Sequence, residues 1–354
     1  MKFAILGDTH FGMRNDSARF HDFSEQFYRD IFFPYLKQNN INVVVQLGDL
    51  FDRRKYINFL SLSRAKRYFF DKLAENHIEF HTLLGNHDIF WRESLSVSSS
   101  GLVLGEYDNI NLYESPHTVS IGAVAVDMIP WICEENKEDV FDFIQNSKSD
   151  ICAGHFEIAG FAMYKGMEAQ DGINKEMFKN YHTVLSGHYH TKSQKDNITY
   201  VGTPVEMTWQ DYKDPKGFHV FDDQTMTLEF IRNPYEIFAK ITYDDSEPLN
   251  WEMTNIDPTF YSKKFVKLIV VKKNDHLKFD TLLNSLYNNG IYELKVLEDF
   301  SEFEEGTVEE SINLEDTLDV LDNYIDSIET NSDKPKIKSF MRELYIEASN
   351  VEII

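Results

Sequence analysis

Only two cysteines, Cys133 and Cys152, occur in the 354 residues of this chain. Two cysteines do not make a disulfide framework, and their scarcity fits a reducing compartment. No uninterrupted apolar run approaches the roughly 20 residues that span a bilayer. The N-terminal Met1-Lys2-Phe3-Ala4-Ile5-Leu6 passes straight to Gly7-Asp8, too short an apolar region for a secretory leader. A soluble, cytoplasmic protein without a membrane partner is expected. No internal repeat is visible. Positive charge is also scarce, and the formal net charge of −24 speaks against a surface that coats DNA generically. That exclusion weakens on inspection. Residues 301–354 hold 4 Lys/Arg against 15 Asp/Glu, so 11 of the 24 negative charges sit in the tail. Bound divalent cations also invert the field at a carboxylate-rich site.

Apolar residues are plentiful at 42%, with 28 Phe and 18 Tyr, enough for a sizeable core in more than one domain. Lys2 to Leu6, Val43 to Leu47 and Phe80 to Leu84 are short apolar runs, as in buried strands. Between them, Phe23, Phe27, Ile31 and Tyr35, then Leu62, Ala65, Phe69 and Leu73, recur at helical spacing. This alternation predicts an α/β fold with ligand-bearing loops at the carboxyl ends of the strands. A Ser-rich, loop-like stretch from Ser94 to Gly101 follows. Shorter strands come next: Ile110–Tyr113, Thr118–Ile121, Ala123–Ile129, then runs into Gly154 and Ser186, and meander strands to Ile231. Two packed sheets flanked by helices accommodate that order.

Five segments share one character: a short apolar run, a glycine, then Asp, Asn or His. They are Gly7-Asp8-Thr9-His10, Gly48-Asp49-Leu50-Phe51-Asp52, Gly85-Asn86-His87-Asp88, Gly154-His155 and Gly187-His188-Tyr189-His190. Alone, each reads as a turn, because Asp and Asn cap and tolerate left-handed backbone. Together and in this order they supply a two-metal phosphoesterase site, which needs a bridging carboxylate and mixed oxygen and nitrogen donors. Asp8 and His10 can face one ion, and Asp49 is the natural bridge. Asn86 offers a neutral oxygen, and His155, His188 and His190 complete the two shells. His87, next to Asn86, is placed to touch substrate and to protonate or hydrogen-bond a leaving oxygen. His21, His77, His81, His117, His182, His219 and His276 fit no such frame.

The motif series resembles that of the calcineurin-like metallophosphoesterases. Within them, Gly7 to Gly12, Gly48 to Asp52, Tyr200-Val201-Gly202-Thr203-Pro204 and Gly217-Phe218 are similar to the SbcD/Mre-type DNA-repair nucleases. Residues 126–136 and Tyr164-Lys165-Gly166-Met167 resemble the phage branch of that family. The resemblance implies a Mn²⁺-dependent exonuclease and endonuclease on duplex ends and single strands, with Mg²⁺ as the other candidate ion. It assigns Asp8, His10, Asp49 and His190 to one ion and Asp49, Asn86, His155 and His188 to the other, with His87 facing phosphate. It also implies a homodimer through residues 55–105 and C-terminal helices that dock on an SbcC-type ABC ATPase. Some members carry His where this chain has Asp52.

Three domains are expected. Residues 1–235 form the metallophosphoesterase sandwich and 236–298 a small α/β capping unit over DNA. Residues 299–354 are an acidic linker and two short helices, one on Leu314, Leu318, Leu321 and Ile325, the other on Ile337, Phe340, Met341, Leu344 and Tyr345. Those helices can pack on the chain itself or dock on a partner. Arg53, Arg54 and Lys55 reach DNA phosphate or form a solvated charge run. A small-substrate phosphodiesterase, a protein phosphatase or a non-catalytic scaffold are the competing functions. Protein phosphatases, however, usually read Asn-His-Glu where this chain has Asn86-His87-Asp88.

Overall fold

Apolar runs rich in Val, Ile and Phe become strands because such side chains fill both faces of a buried sheet. In the computed structural model they are β1 (Lys2–Leu6), β2 (Val43–Gln46), β3 (Glu79–Leu83), β4 (Ile89–Trp91), β5 (Ser94–Ser98), β6 (Ile110–Tyr113), β7 (His117–Ile121), β8 (Val124–Ile129) and β9 (Ile151–His155). There follow β10 (Ala162–Tyr164), β11 (Met167–Glu168), β12 (Thr183–Gly187), β13 (Ser193–Lys195), β14 (Ile198–Tyr200), β15 (Gly217–Asp222), β16 (Thr227–Arg232), β17 (Phe238–Asp244), β18 (Phe265–Lys272) and β19 (Glu293–Glu298). The structure describes residues 1–164, 167–246 and 256–298, together with Ile325, Lys334, Lys336, Ile337, Lys338, Phe340 and Met341.

Two 6-stranded sheets carry the first unit, in the orders β16-β15-β1-β2-β3-β6 and β13-β14-β12-β9-β8-β7. Each contains a run of parallel strands, β1 to β6 in one and β8, β9, β12 and β14 in the other. Antiparallel partners extend both sheets. The sheets stack face to face: Phe3, Val45 and Leu47 of one meet Val126, Met128 and Leu185 of the other in a single buried cluster. Helices cover both outer faces. On one side Tyr28, Phe32, Phe69 and Phe70 pack with Phe80 and Phe218. On the other Val140, Ile144 and Phe178 pack with Cys152, Val184 and Tyr200. The fold is the expected α/β sandwich.

Both helices before β3 contain a turn of π-helix, Tyr28–Phe32 and Lys66–Phe70. A π-turn inserts one residue into the helical repeat and rotates the following face. The expected stripe of Phe23, Phe27, Ile31 and Tyr35 therefore continues as Phe32 and Leu36, which are buried, while Ile31 and Tyr35 are only half-buried. The same insertion buries Tyr68, Phe69 and Phe70 in succession. The Ser-rich stretch is also not a loop. Residues Ser94–Ser98 pair with Ile89–Trp91, and Ser98 caps the short helix Ser99–Val103 by accepting from the Gly101 amide.

The chain divides into two compact units, Met1–Phe238 and Ala239–Ile354. In the second, β17, β18 and β19 form a 3-stranded sheet. Strands β18 and β19 are parallel and joined through the helix His276–Asn288, which Asp275 caps by accepting from the Leu277 and Lys278 amides. Phe279, Leu282 and Leu286 of that helix pack on Ile241, Val266 and Leu268. Strand β17 is part of the small α/β unit expected for this region. The acidic linker and most of the two tail helices lie outside the described residues; within the second, Ile337, Phe340 and Met341 are helical.

Candidate metal centre

All five glycine-led segments leave the carboxyl ends of parallel strands. Asp8 and His10 follow β1, Asp49 follows β2, and Asn86 and His87 follow β3. His155 ends β9, and His188 and His190 follow β12. Strand ends on one edge of stacked parallel sheets bring their loops to a common crevice. The approach is close enough to exclude side chains at two points. A Cβ at Gly85 would collide with the Asp49 carboxylate and amide, and one at Gly187 with the Leu47 carbonyl and Asp8. Backbone strain occurs here: His10 (φ 42°), Asp49 (φ 53°) and His188 (φ 84°) are all left-handed. Such residues cost roughly 1–2 kcal/mol each, and they persist where the surrounding structure over-determines them.

The donor atoms converge in two overlapping groups. His10 Nε2 lies 3.2 Å from His190 Nε2 and 3.9 Å from Asp8 Oδ2, and His190 Nε2 lies 3.7 Å from that same oxygen. On the other side, Asn86 Oδ1 lies 2.9 Å from His155 Nε2 and 3.1 Å from His188 Nδ1. Asp49 Oδ2 faces both groups, 3.7 Å from His10 Nε2 and 3.4 Å from His155 Nε2. Asp8, His10 and His190 bring three donors within 4.8 Å of one another, as do Asp8, Asp49 and His155. The structure thus gathers every candidate ligand into one place.

With the His155 ring neutral, the hydrogen bonds around this cluster leave its centre short of protons. His155 Nδ1 donates to the Leu47 carbonyl at 2.7 Å, since a carbonyl only accepts. In the neutral ring Nε2 then presents a lone pair toward Asp49 Oδ2 and Asn86 Oδ1. Backbone amides hold the far sides of the carboxylates, His87 N on Asp49 Oδ1 at 2.7 Å and His188 N on Asp8 Oδ1 at 3.0 Å. What remains is a buried set of acceptors pointing at one another, and this donor set fits divalent ions.

Electrostatics agree. Burial pushes Asp8 up to about 7, opposed by the His155 imidazole and reinforced by the Asp49 carboxylate. Burial also pushes Asp49 up, yet the His155 and His87 imidazoles outweigh it and hold that carboxyl well below the usual range. Burial drives His10 down to about 3 and His190 to about 4, and takes His188 well below the imidazole range. His155 is the exception: burial pushes it down, but the Asp49 and Asp8 carboxylates prevail and hold it at about 9. A field that retains a proton on a buried imidazole is one that attracts a metal ion.

The calcineurin-like phosphoesterase family matches residues 1–192. Exonuclease subunit 1 of Enterobacteria phage T4 is 31% identical over 353 residues, covering 99% of this chain and 100% of that protein. The chain belongs to the calcineurin-like phosphoesterases. A solved structure described as a novel archaeal phosphodiesterase is similar over 66% of this chain and 100% of that one, at 12% identity and a TM-score of 0.35. A glutamine-dependent NAD⁺ synthetase from Acinetobacter baumannii covers 99% of this chain and 73% of its own, at 9% identity and a TM-score of 0.30. This phosphoesterase is a metal-dependent hydrolase of phosphate esters, and the divalent ions its family uses have a matching donor set here.

Other residues of the phosphoesterase lie around the candidate ligands. Asp88, fully buried, accepts from the Leu50 amide at 3.1 Å and the Gly85 amide at 2.9 Å, tying the Asp49 loop to the Asn86 loop. His87 Nδ1 donates to the Asp52 carbonyl at 2.6 Å, which leaves Nε2 for other partners. The Asp52 carboxylate lies 3.4 Å from His10 Nδ1, a buried nitrogen with no hydrogen-bond partner among the described residues. The Trp131 indole packs 5.2 Å from the His188 ring. Sequence spacing did not point to the Asp88–Leu50 and His87–Asp52 contacts, which join positions 35 or more apart. Arg53 is bonded to Asn15 and lies 3.8 Å from Asp16, whereas Lys55 is exposed. Of the histidines outside the motifs, His21 pairs with Ser61 and Tyr68, and His81 with Tyr113.

Proposed function

We propose that this phosphoesterase is a DNA nuclease that binds two divalent ions, Mn²⁺ foremost. It hydrolyses phosphodiesters 3′–5′ from duplex ends and within single strands. The observation that carries this reading is the 31% identity, over 99% of the chain, to a protein named as an exonuclease subunit. Asp8, His10, Asp49 and His190 would hold one ion, and Asp49, Asn86, His155 and His188 the other. When bound, such ions neutralise phosphoryl oxygens and lower the pKa of water. The chain's own residues do the rest. Asp49 and Asp8, clamped by backbone amides, supply the negative charge that keeps the ions in register. His87, anchored through Nδ1, would present Nε2 to the leaving oxygen, to protonate or hydrogen-bond it.

An SbcC-type ABC ATPase as partner, with the 299–354 segment as its docking element, completes the reading, as does a capping role for 236–298. Self-association is supported by exposed Tyr56, Phe59, Leu60 and Leu102, which fall within 55–105. The test is digestion of end-labelled linear duplex DNA in Mn²⁺, with a His87→Ser variant alongside. Degradation by the wild type but not by the variant is the expected result. Equal degradation by both would rule out the role of His87. No digestion by either, even with the ATPase present, would move the assignment to a small-substrate phosphodiesterase.

A further inference from the structure

Lys216 is the unusual buried cation of the first unit. It is 3% exposed, and its ammonium sits 2.6 Å from Asp211 Oδ1 and 2.8 Å from Asp214 Oδ2. Its third hydrogen bond, at 2.9 Å, goes to the main-chain carbonyl of His190. An ammonium has three donors, so this one is fully used. Asp211 is satisfied in turn, accepting through Oδ2 from the Met207 amide at 2.9 Å and the Thr208 amide at 2.8 Å. Buried ion clusters of this kind add little stability over apolar replacements of similar volume. Stability therefore does not explain why a positive charge is buried one residue's breadth from a cradle for cations.

The geometry of His190 does. Three cluster members have braces on their own side chains: Leu47 on His155, and backbone amides on Asp8 and Asp49. His190 Nε2 faces into the cluster, and among the described residues no hydrogen bond holds its outer ring nitrogen. Its placement rests on the main chain, where the carbonyl accepts from Lys216 and from the Thr203 amide at 3.2 Å. Asp211 and Asp214 more than neutralise the ammonium, so the brace adds no net repulsion toward a bound cation.

We infer that Lys216, charge-balanced by Asp211 and Asp214, is a positioning residue that holds His190 in place as a ligand through its carbonyl. The inference rests on the metal-centre reading proposed above. Its test is calorimetric titration of the full-length chain with Mn²⁺, beside melting curves recorded without metal. Lys216→Met leaves two buried carboxylates unpaired and can fail to fold. A neutral triple variant, Lys216→Met with Asp211→Asn and Asp214→Asn, removes the buried charges together and keeps an oxygen for the 208–211 turn.

For the folded triple variant the expected result is selective. One of the two Mn²⁺ sites weakens by about 10- to 100-fold, as for other outer-shell losses, while the other keeps its wild-type affinity. A merely structural role would lower the melting temperature and leave both affinities alone, and that outcome overturns the inference. Failure of the wild type to bind Mn²⁺ would instead remove the metal-centre reading, and the inference with it.

Discussion

The two sheets contribute unlike halves to one centre. The loops after β1, β2 and β3 bring both carboxylates, the amide of Asn86, and His10 and His87. The loops after β9 and β12 bring imidazoles only: His155, His188 and His190. The carboxylate half supplies charge and is clamped from across the seam, since the His188 amide bonds Asp8. The imidazole half supplies neutral nitrogen, with its best-fixed tautomer set by the Leu47 carbonyl of the opposite sheet. Each half is therefore oriented by the other, and neither sheet alone presents a formed site. Packing the two sheets together and assembling the centre are one event.

Breaking the charged half should cost most. Asp49→Asn removes a carboxylate whose Oδ2 lies 3.7 Å from His10 Nε2 and 3.4 Å from His155 Nε2, and we expect hydrolysis to fall by more than about 10³-fold, with loss of at least one ion. Steady-state rates together with metal analysis of the purified variant check this. Next comes His87→Ser, which leaves every candidate ligand intact. Its rate should fall by about 10²–10³-fold with Mn²⁺ binding unchanged. A parallel loss of metal would mean that His87 is a ligand.

Asp52→Ala probes the outer side of the same half. With His10 Nε2 turned inward, Nδ1 bears the proton and faces the Asp52 carboxylate, as in other carboxylate–histidine–metal arrangements. Mn²⁺ affinity should drop by about 10- to 100-fold, with Asp52→Asn intermediate. Equal affinity in all three proteins would leave Asp52 only its backbone role toward His87.

A further test compares the halves by pH. In the ion-free protein Asp8, raised to about 7, and His155, raised to about 9, both retain protons at neutral pH. Ion binding must expel them, so affinity should rise with pH through about 7 and on toward about 9, then level. Below that window the loss is about tenfold per pH unit for each proton displaced. Titrations in buffers of different protonation enthalpy count the protons released, and a count of zero would contradict the electrostatic account.

Much of this was legible in the sequence because its signals were local. A glycine after an apolar run, followed by Asp, Asn or His, marks a strand end and a candidate ligand together, and five such marks in order left little freedom. The π-turns at Tyr28–Phe32 and Lys66–Phe70 were not legible, because an inserted residue changes which side chains are buried without changing the composition. The hairpin of β4 and β5 was hidden for a similar reason: its serines look loop-like until their hydroxyls are seen capping and bridging. The braces were the least visible. Asp88 to Leu50, Asp52 to His10 and Lys216 to His190 join loops that only the sheet order brings together.

If the two halves make one cradle, it should hold two ions. The most direct measurement is Mn²⁺ stoichiometry by calorimetry, with electron paramagnetic resonance to report coupling between bound ions. Two ions per chain with a spin-coupled signal is the predicted result. A single magnetically isolated ion, or none, would contradict it.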